Sequence, residues 1–185
     1  MMTQTSPHEP AAPRPAGGWS APTAGLAGRL RVEFEDLRPG LRHAVYLELR
    51  NHGFIPVAVV NQPQTQAALL NAMGQPVSPS QLALSGPIPE PQWALIPRDA
   101  YIGFRIDMHA LGLPAADQGV ILLAVGSQSW TLEPGVYKLR VTALFTRDER
   151  GPTEQWRGEL VLPPVEIVVT PAMLEPGRSE DTSTN

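Results

Sequence analysis

The segment from Trp130 to Thr146 restricts the fold of this chain more than any other. It turns at Pro134-Gly135 and then alternates. Proline presets φ, and glycine tolerates the positive φ that a tight turn can require. Beyond the turn, Tyr137, Leu139, Val141, Ala143 and Phe145 fall on one side, with Lys138, Arg140, Thr142 and Thr146 on the other. A period of two puts successive side chains on opposite faces of a strand. The segment therefore predicts a long β-strand with one buried and one wet face.

Shorter versions of the same pattern fill the chain. Leu30, Val32 and Phe34 alternate with Arg31, Glu33 and Glu35. After the Arg38-Pro39-Gly40 turn, Val45, Leu47 and Leu49 alternate with Tyr46, Glu48 and Arg50, which predicts a hairpin with a longer loop. Asn51-His52-Gly53 reads as the next turn. Phe54 to Val60 is a dense apolar run, expected to be a strand buried on both sides, with Pro56 at its start or on an open edge. Residues 67–73 suit helix or strand by composition, and the following Gly74-Gln75-Pro76-Val77 favours a strand entering a hairpin. Residues 78–92 form a Pro- and Ser-rich loop, with Trp93 placed to anchor it. Ile102, Phe104, Ile106 and Met108 face inward on another strand, residues 111–119 form a second loop, and Val120 to Val125 reads as a short buried strand. Residues 147–154 make a charged hairpin tip. Pro163-Pro164 separates the strand at 156–162 from Val165, Ile167 and Val169, marking a bend or a crossing between sheets. The sum is an all-β antiparallel sandwich of about eight to ten short strands, with a closed barrel as the alternative.

Composition sets the limits. A length of 185 residues suits one domain, expected at 27–170. Residues 1–26 are rich in Pro, Ala and Gly, and 171–185 are polar, so both are expected as disordered tails. Pro10 to Arg14 superficially resembles a polyproline ligand, but composition strongly favours a plain flexible leader. The chain has no cysteine, which excludes disulfides, thiolate catalysis and sulfur-ligated metals. A net charge of −4 without a basic block argues against nucleic acid as a partner. No apolar run approaches bilayer length, and Met1 to Pro22 lacks a signal-peptide core. No membrane insertion and a cytoplasmic location are expected.

Chemical signatures are sparse. No serine lies in a Gly-x-Ser-x-Gly elbow, and there is no glycine-rich phosphate loop. Among His8, His43, His52 and His109, only Asp107-x-His109 has ligand-like spacing, because i and i+2 on a strand project to one side. With Asp117 they make a weak candidate for an N/O-ligand metal site. The competing reading pairs Asp107 with Arg105. Glu33, Glu35 and Glu48 share an outer face with Arg31 and Arg50, as expected of a solvated charge ladder rather than acid–base machinery. Trp93, Trp130 and Trp156 are expected as core or loop anchors. No cofactor is expected.

Several residues together carry a resemblance. Leu47-Glu48-Leu49-Arg50-Asn51 precedes the apolar run at 54–60. Gly74 and Val77, the proline-rich loop, Leu95-x-Pro97 and Phe104-Arg105-Ile106 follow. Trp130-x-Leu132-x-Pro134-Gly135-x-Tyr137 then leads to Trp156-x-Gly158-x-Leu160-x-Leu162-Pro163. This order resembles uncharacterised bacterial immunoglobulin-like β-sandwich domains over most of residues 30–169. It is also similar to the sandwich pro-regions of some secreted metalloproteases and to the intracellular proteinase inhibitor family of bacilli. The resemblance implies a tyrosine corner, in which Tyr137 would bond back to nearby backbone, and it carries no catalytic residues. The first functional expectation is a non-catalytic interaction module presenting loops 78–92, 109–119 and 147–155 to a protein, with Ile88, Pro89, Glu90 and Trp93 as contact residues. The alternatives are a protease inhibitor using the extended 85–92 loop and a metal-dependent hydrolase around Asp107, His109 and Asp117.

Overall fold

The computed structural model describes residues 18–37, 40–80, 90–107 and 121–174, with the backbone alone at 34–37 and 40–43. The first alternating rows become a long hairpin. β1 (Leu26–Leu37) and β2 (Gly40–Asn51) pair antiparallel from Leu26 opposite Asn51 to Leu37 opposite Gly40. A ladder reaching that far leaves a shorter connection than the longer loop expected. Leu30, Val32, Val45, Leu47 and Leu49 are buried on one face, while Arg29, Arg31, Tyr46, Glu48 and Arg50 line the other.

The far edge of β2 carries two strands. β7 (Tyr101–Arg105) runs antiparallel along residues 46–50, and β8 (Ile121–Val125) pairs parallel at Arg42 and His43. All five residues of β8 are buried, which explains its unbroken apolar run. β9 (Gln128–Leu132) completes this sheet.

The second sheet is built on β10 (Gly135–Phe145), the strand with the clearest alternation. β4 (Gln64–Asn71) lies along one edge, so residues 67–71 are strand, and β5 (Pro76–Val77) pairs with β4. The other edge takes β11 (Gly158–Val161) and then β12 (Val165–Val169). Thr142 faces Val161 and Leu139 faces Val165, so Arg140 and Val141 oppose Leu162, Pro163 and Pro164. The extra residue makes a bulge at a sheet edge, where two missing N–H groups break no inner ladder. Leu162 N still donates to Val141 O at 3.0 Å. The proline pair therefore bends one edge strand without moving it to another sheet.

β3 (Val57–Val60) and β6 (Trp93–Ile96) form a separate two-stranded ribbon. Trp156 N donates to Ala58 O at 2.8 Å and ties the ribbon to the segment before β11. The run from Phe54 is thus not one buried strand: β3 begins after Pro56, and Phe54 and Ile55 stand out into solvent.

Side chains from all three sheets, among them Leu47, Trp130, Leu139, Val141, Val59 and Ile96, belong to one apolar cluster. The Trp130 indole donates to Val77 O at 3.0 Å, and Trp156 meets Phe145 edge-on with centroids 5.3 Å apart. At Gly28, β1 passes so close to the bulged strand that a Cβ would lie 2.6 Å from Leu162 Cδ2. The protein is all-β with mostly antiparallel sheets, and among the described residues these stay open rather than closing into a barrel. The chain before β1 runs back along it, with Ser20 N donating to Gly28 O at 2.8 Å. Pro171–Leu174 ends the described chain as a 3-10 turn. Among the described residues no helix is long and apolar enough to cross a membrane.

Candidate functional site

Three segments converge where β2 ends. Asn51 is fully buried. Its Nδ2 donates to Ile55 O at 2.8 Å and to Ile96 O at 3.0 Å, and its Oδ1 accepts from Gly53 N at 2.8 Å. Asparagine serves this position because its short amide carries donor and acceptor in one plane. Its backbone continues the pattern: Asn51 N donates to Ala100 O at 3.0 Å, and Asn51 O accepts from Asp99 N at 2.8 Å. Next to it, His52 N donates to Gly25 O at 2.7 Å.

Backbone strain collects at this end. Ala24 and Asp99, at φ 45° and 61°, are the non-glycine residues with positive φ among those described. Each costs on the order of 1–3 kcal/mol, sustained by the surrounding structure. Gly25 is at φ 82°, and a Cβ there would lie 3.1 Å from Gly53 Cα, so both backbone freedom and space call for glycine.

The rigid interior carries an apolar exterior. Phe54 is 85% exposed and Ile55 67%. The Arg98 guanidinium lies 5.3 Å from the Phe54 ring centroid. Tyr101 and Leu95 are also exposed, on the strands that follow and precede the 97–100 turn. Covering one large apolar side chain on binding is worth about 1.5–3 kcal/mol.

The outer face of the β1–β2–β7 sheet lies alongside. Glu48 is buried here, contrary to the solvated ladder expected, because long side chains close over it. Arg29 Nε donates to its Oε2 at 2.6 Å and Arg31 Nε to its Oε1 at 2.7 Å, while Arg31 also bonds Glu33. The Arg31 guanidinium stacks 4.1 Å from the Tyr46 centroid, and Arg29 stacks 4.6 Å from that of Trp19. Burial pushes the Glu48 pKa up, but hydrogen bonds from Arg31 and then Arg29 outweigh it and hold the carboxyl below the ordinary glutamate range. Burial likewise opposes the charge on Arg31, and the bond to Glu48 with the charge of Glu33 more than restores it. A carboxylate so held is a poor proton donor near neutrality.

The residues singled out from sequence divide into two places. Asp107 is buried and bonded by two nitrogens of Arg105, Nε to Oδ1 at 2.8 Å, as the competing reading had it. His109 and Asp117 lie outside the described residues, as do Ile88 and Pro89. Among the described residues no three His, Asp or Glu groups are placed to share a metal. Glu90 is exposed, and its charge is felt at Arg150. Trp93 is half-buried, packed on Gly151, where a Cβ would lie 2.3 Å from its ring. Glu90 and Trp93 thus approach the 147–155 tip, which Gln155 ties down by accepting from Asp148 N at 3.0 Å and donating to Asp148 O at 2.6 Å. At that tip the side chain and then the backbone N–H of Arg150 hold the Asp148 carboxyl below its usual range.

A cleft of about 240 Å³ opens over β10, lined by Leu70, Val136, Lys138, Arg140 and Glu166 among others. Lys138 stands opposite Glu166 in the register, so the cleft carries one charge of each sign there. Comparison with known proteins gives no match: no family model, no curated protein and no solved structure.

Sequence reasoning missed Asn51, Phe54 and Ile55. A partial signal existed, since Asn51 two residues before Gly53 suits an Asx turn. Pro56 also breaks the apolar run before its strand begins.

Proposed function

We propose that this chain is a non-catalytic protein-binding module, an immunoglobulin-like β-sandwich that meets its partner through the end built on Asn51. One observation carries the reading: Phe54 and Ile55 are held out to solvent by a turn locked from inside by a fully buried, fully bonded asparagine. Exposed apolar groups that are pre-ordered lose little entropy on docking, so their burial converts efficiently into affinity. The sandwich reading draws support from the two principal sheets sharing a core and from Tyr137, whose phenol donates to Glu133 O at 3.1 Å as in a tyrosine corner. Function on a rigid β scaffold commonly sits in its turns.

The test is selection from a phage-displayed library of random dodecamer peptides, with the wild type and Phe54→Ser/Ile55→Ser as parallel baits. The wild type should enrich a peptide family that binds at micromolar or better. The double variant, with its thermal midpoint preserved, should not retain these peptides. Equal binding by both baits, or no enrichment on the wild type, would remove the reading.

A further inference from the structure

Arg50 is the last outward-facing residue of β2, one position before Asn51. Its neighbours across the sheet are Ala27 on β1 and Tyr101 on β7. Ala27 has no polar side-chain group. The Nε of Arg50 is closed off from solvent and has no hydrogen-bond partner. No carboxylate among the described residues pairs with this guanidinium. Glu48, two residues earlier on the same face of the strand, already accepts from Arg29 and Arg31. Buried polar groups are normally bonded, and an orphaned donor on a charged group costs more than its hydrogen bond would gain.

We propose that Arg50 takes a carboxylate from the partner: an Asp or Glu side chain in a segment whose apolar residues cover Phe54 and Ile55. This rests on the reading of the Asn51 end as a protein-binding surface. Guanidinium and carboxylate match as two parallel N–H···O bonds, made here end-on by the two terminal nitrogens, since Nε is closed off from solvent. Tyr101, directly opposite Arg50 in the register and exposed, flanks the position with a second donor. The local charges favour a monoanion over a phosphate. Arg29 and Arg31 are met by Glu48 and Glu33, and Arg98 bonds Asp99, which leaves one positive charge unmatched.

The experiment uses peptides enriched on the full chain from the random dodecamer library. They should share an acidic residue at a fixed distance from an apolar pair. Replacing that acidic residue by its amide should weaken binding to the wild type at least ~10-fold, as expected for a desolvated charge pair. Arg50→Gln should weaken the acidic peptide by a similar factor and leave the amide peptide unchanged. The peptide substitution needs no protein variant, so it decides the matter even if Arg50→Gln folds poorly. Enriched peptides without an acidic position, or an acidic preference that persists in folded Arg50→Gln, would overturn the role of Arg50 while leaving the binding surface intact. No enrichment at all would overturn both.

Discussion

The amide of Asn51 reaches two carbonyls and one N–H at three backbone positions. Asn51→Ala should therefore remove the side-chain bonds to Ile55 O, Ile96 O and Gly53 N, lowering stability by about 2–3 kcal/mol in urea denaturation. Amide exchange at Gly53 should quicken in the same variant. A loss below about 0.5 kcal/mol would mean that water replaces the amide readily. Tyr137→Phe removes only the bond to Glu133 O, and the expected loss is about 1 kcal/mol; unchanged stability would leave an ordinary strand tyrosine. Glu48 gives a pH signature. Its folded pKa lies below the unfolded value, so its contribution is complete above the ordinary glutamate value near 4.5 and disappears as pH falls through the folded pKa. Wild-type stability should drop on acidification through that window, and the drop should be shallower in Glu48→Gln. At neutral pH that variant should be weaker by about 1–3 kcal/mol, since the two arginines remain partly wetted. Parallel acid profiles for both proteins would contradict the coupling.

Strands were the legible part of this chain, because alternation reports which face is buried. β2 and β10, with β1 at Leu30 and Val32 and β7 at Ile102 and Phe104, follow their inward rows as read. Phe54 and Ile55 were misread because apolarity says nothing about what covers a residue, and here nothing described does. Asn51 was illegible for another reason: one of its acceptors lies 45 residues away in sequence. Arg50 looks like every other outward charge on its strand, and only the register shows that Ala27 and Tyr101 leave it unpaired. The turn between β8 and β9 offers an element-scale check. Gly126 has φ 56°, and a Cβ there would lie 2.0 Å from Thr65 Oγ1 on β4. Gly126→Ala combines a left-handed conformation with overpacking and should cost about 2 kcal/mol by thermal or urea unfolding. A neutral result would mean that the turn shifts away from β4 without loss.

At the scale of the molecule, two sheets and a small ribbon share one core, and the first sheet meets the ribbon at the end of β2, where Asn51 bonds Ile96 O. The buried amide, the strained residues Ala24 and Asp99, and the exposed Phe54 all occur there. The opposing candidate surface, where Glu90 and Trp93 approach the 147–155 tip, keeps its tryptophan half-buried against Gly151. These two surfaces respond differently to a bound partner. The direct measurement is a titration of isotope-labelled full-length chain with a selected peptide, followed by amide chemical shifts. Perturbations should concentrate at residues 50–56 and 95–101. Shifts confined to residues 90–93 and 147–155, with Phe54 and Ile55 unmoved, would contradict the assignment of the binding surface to the Asn51 end.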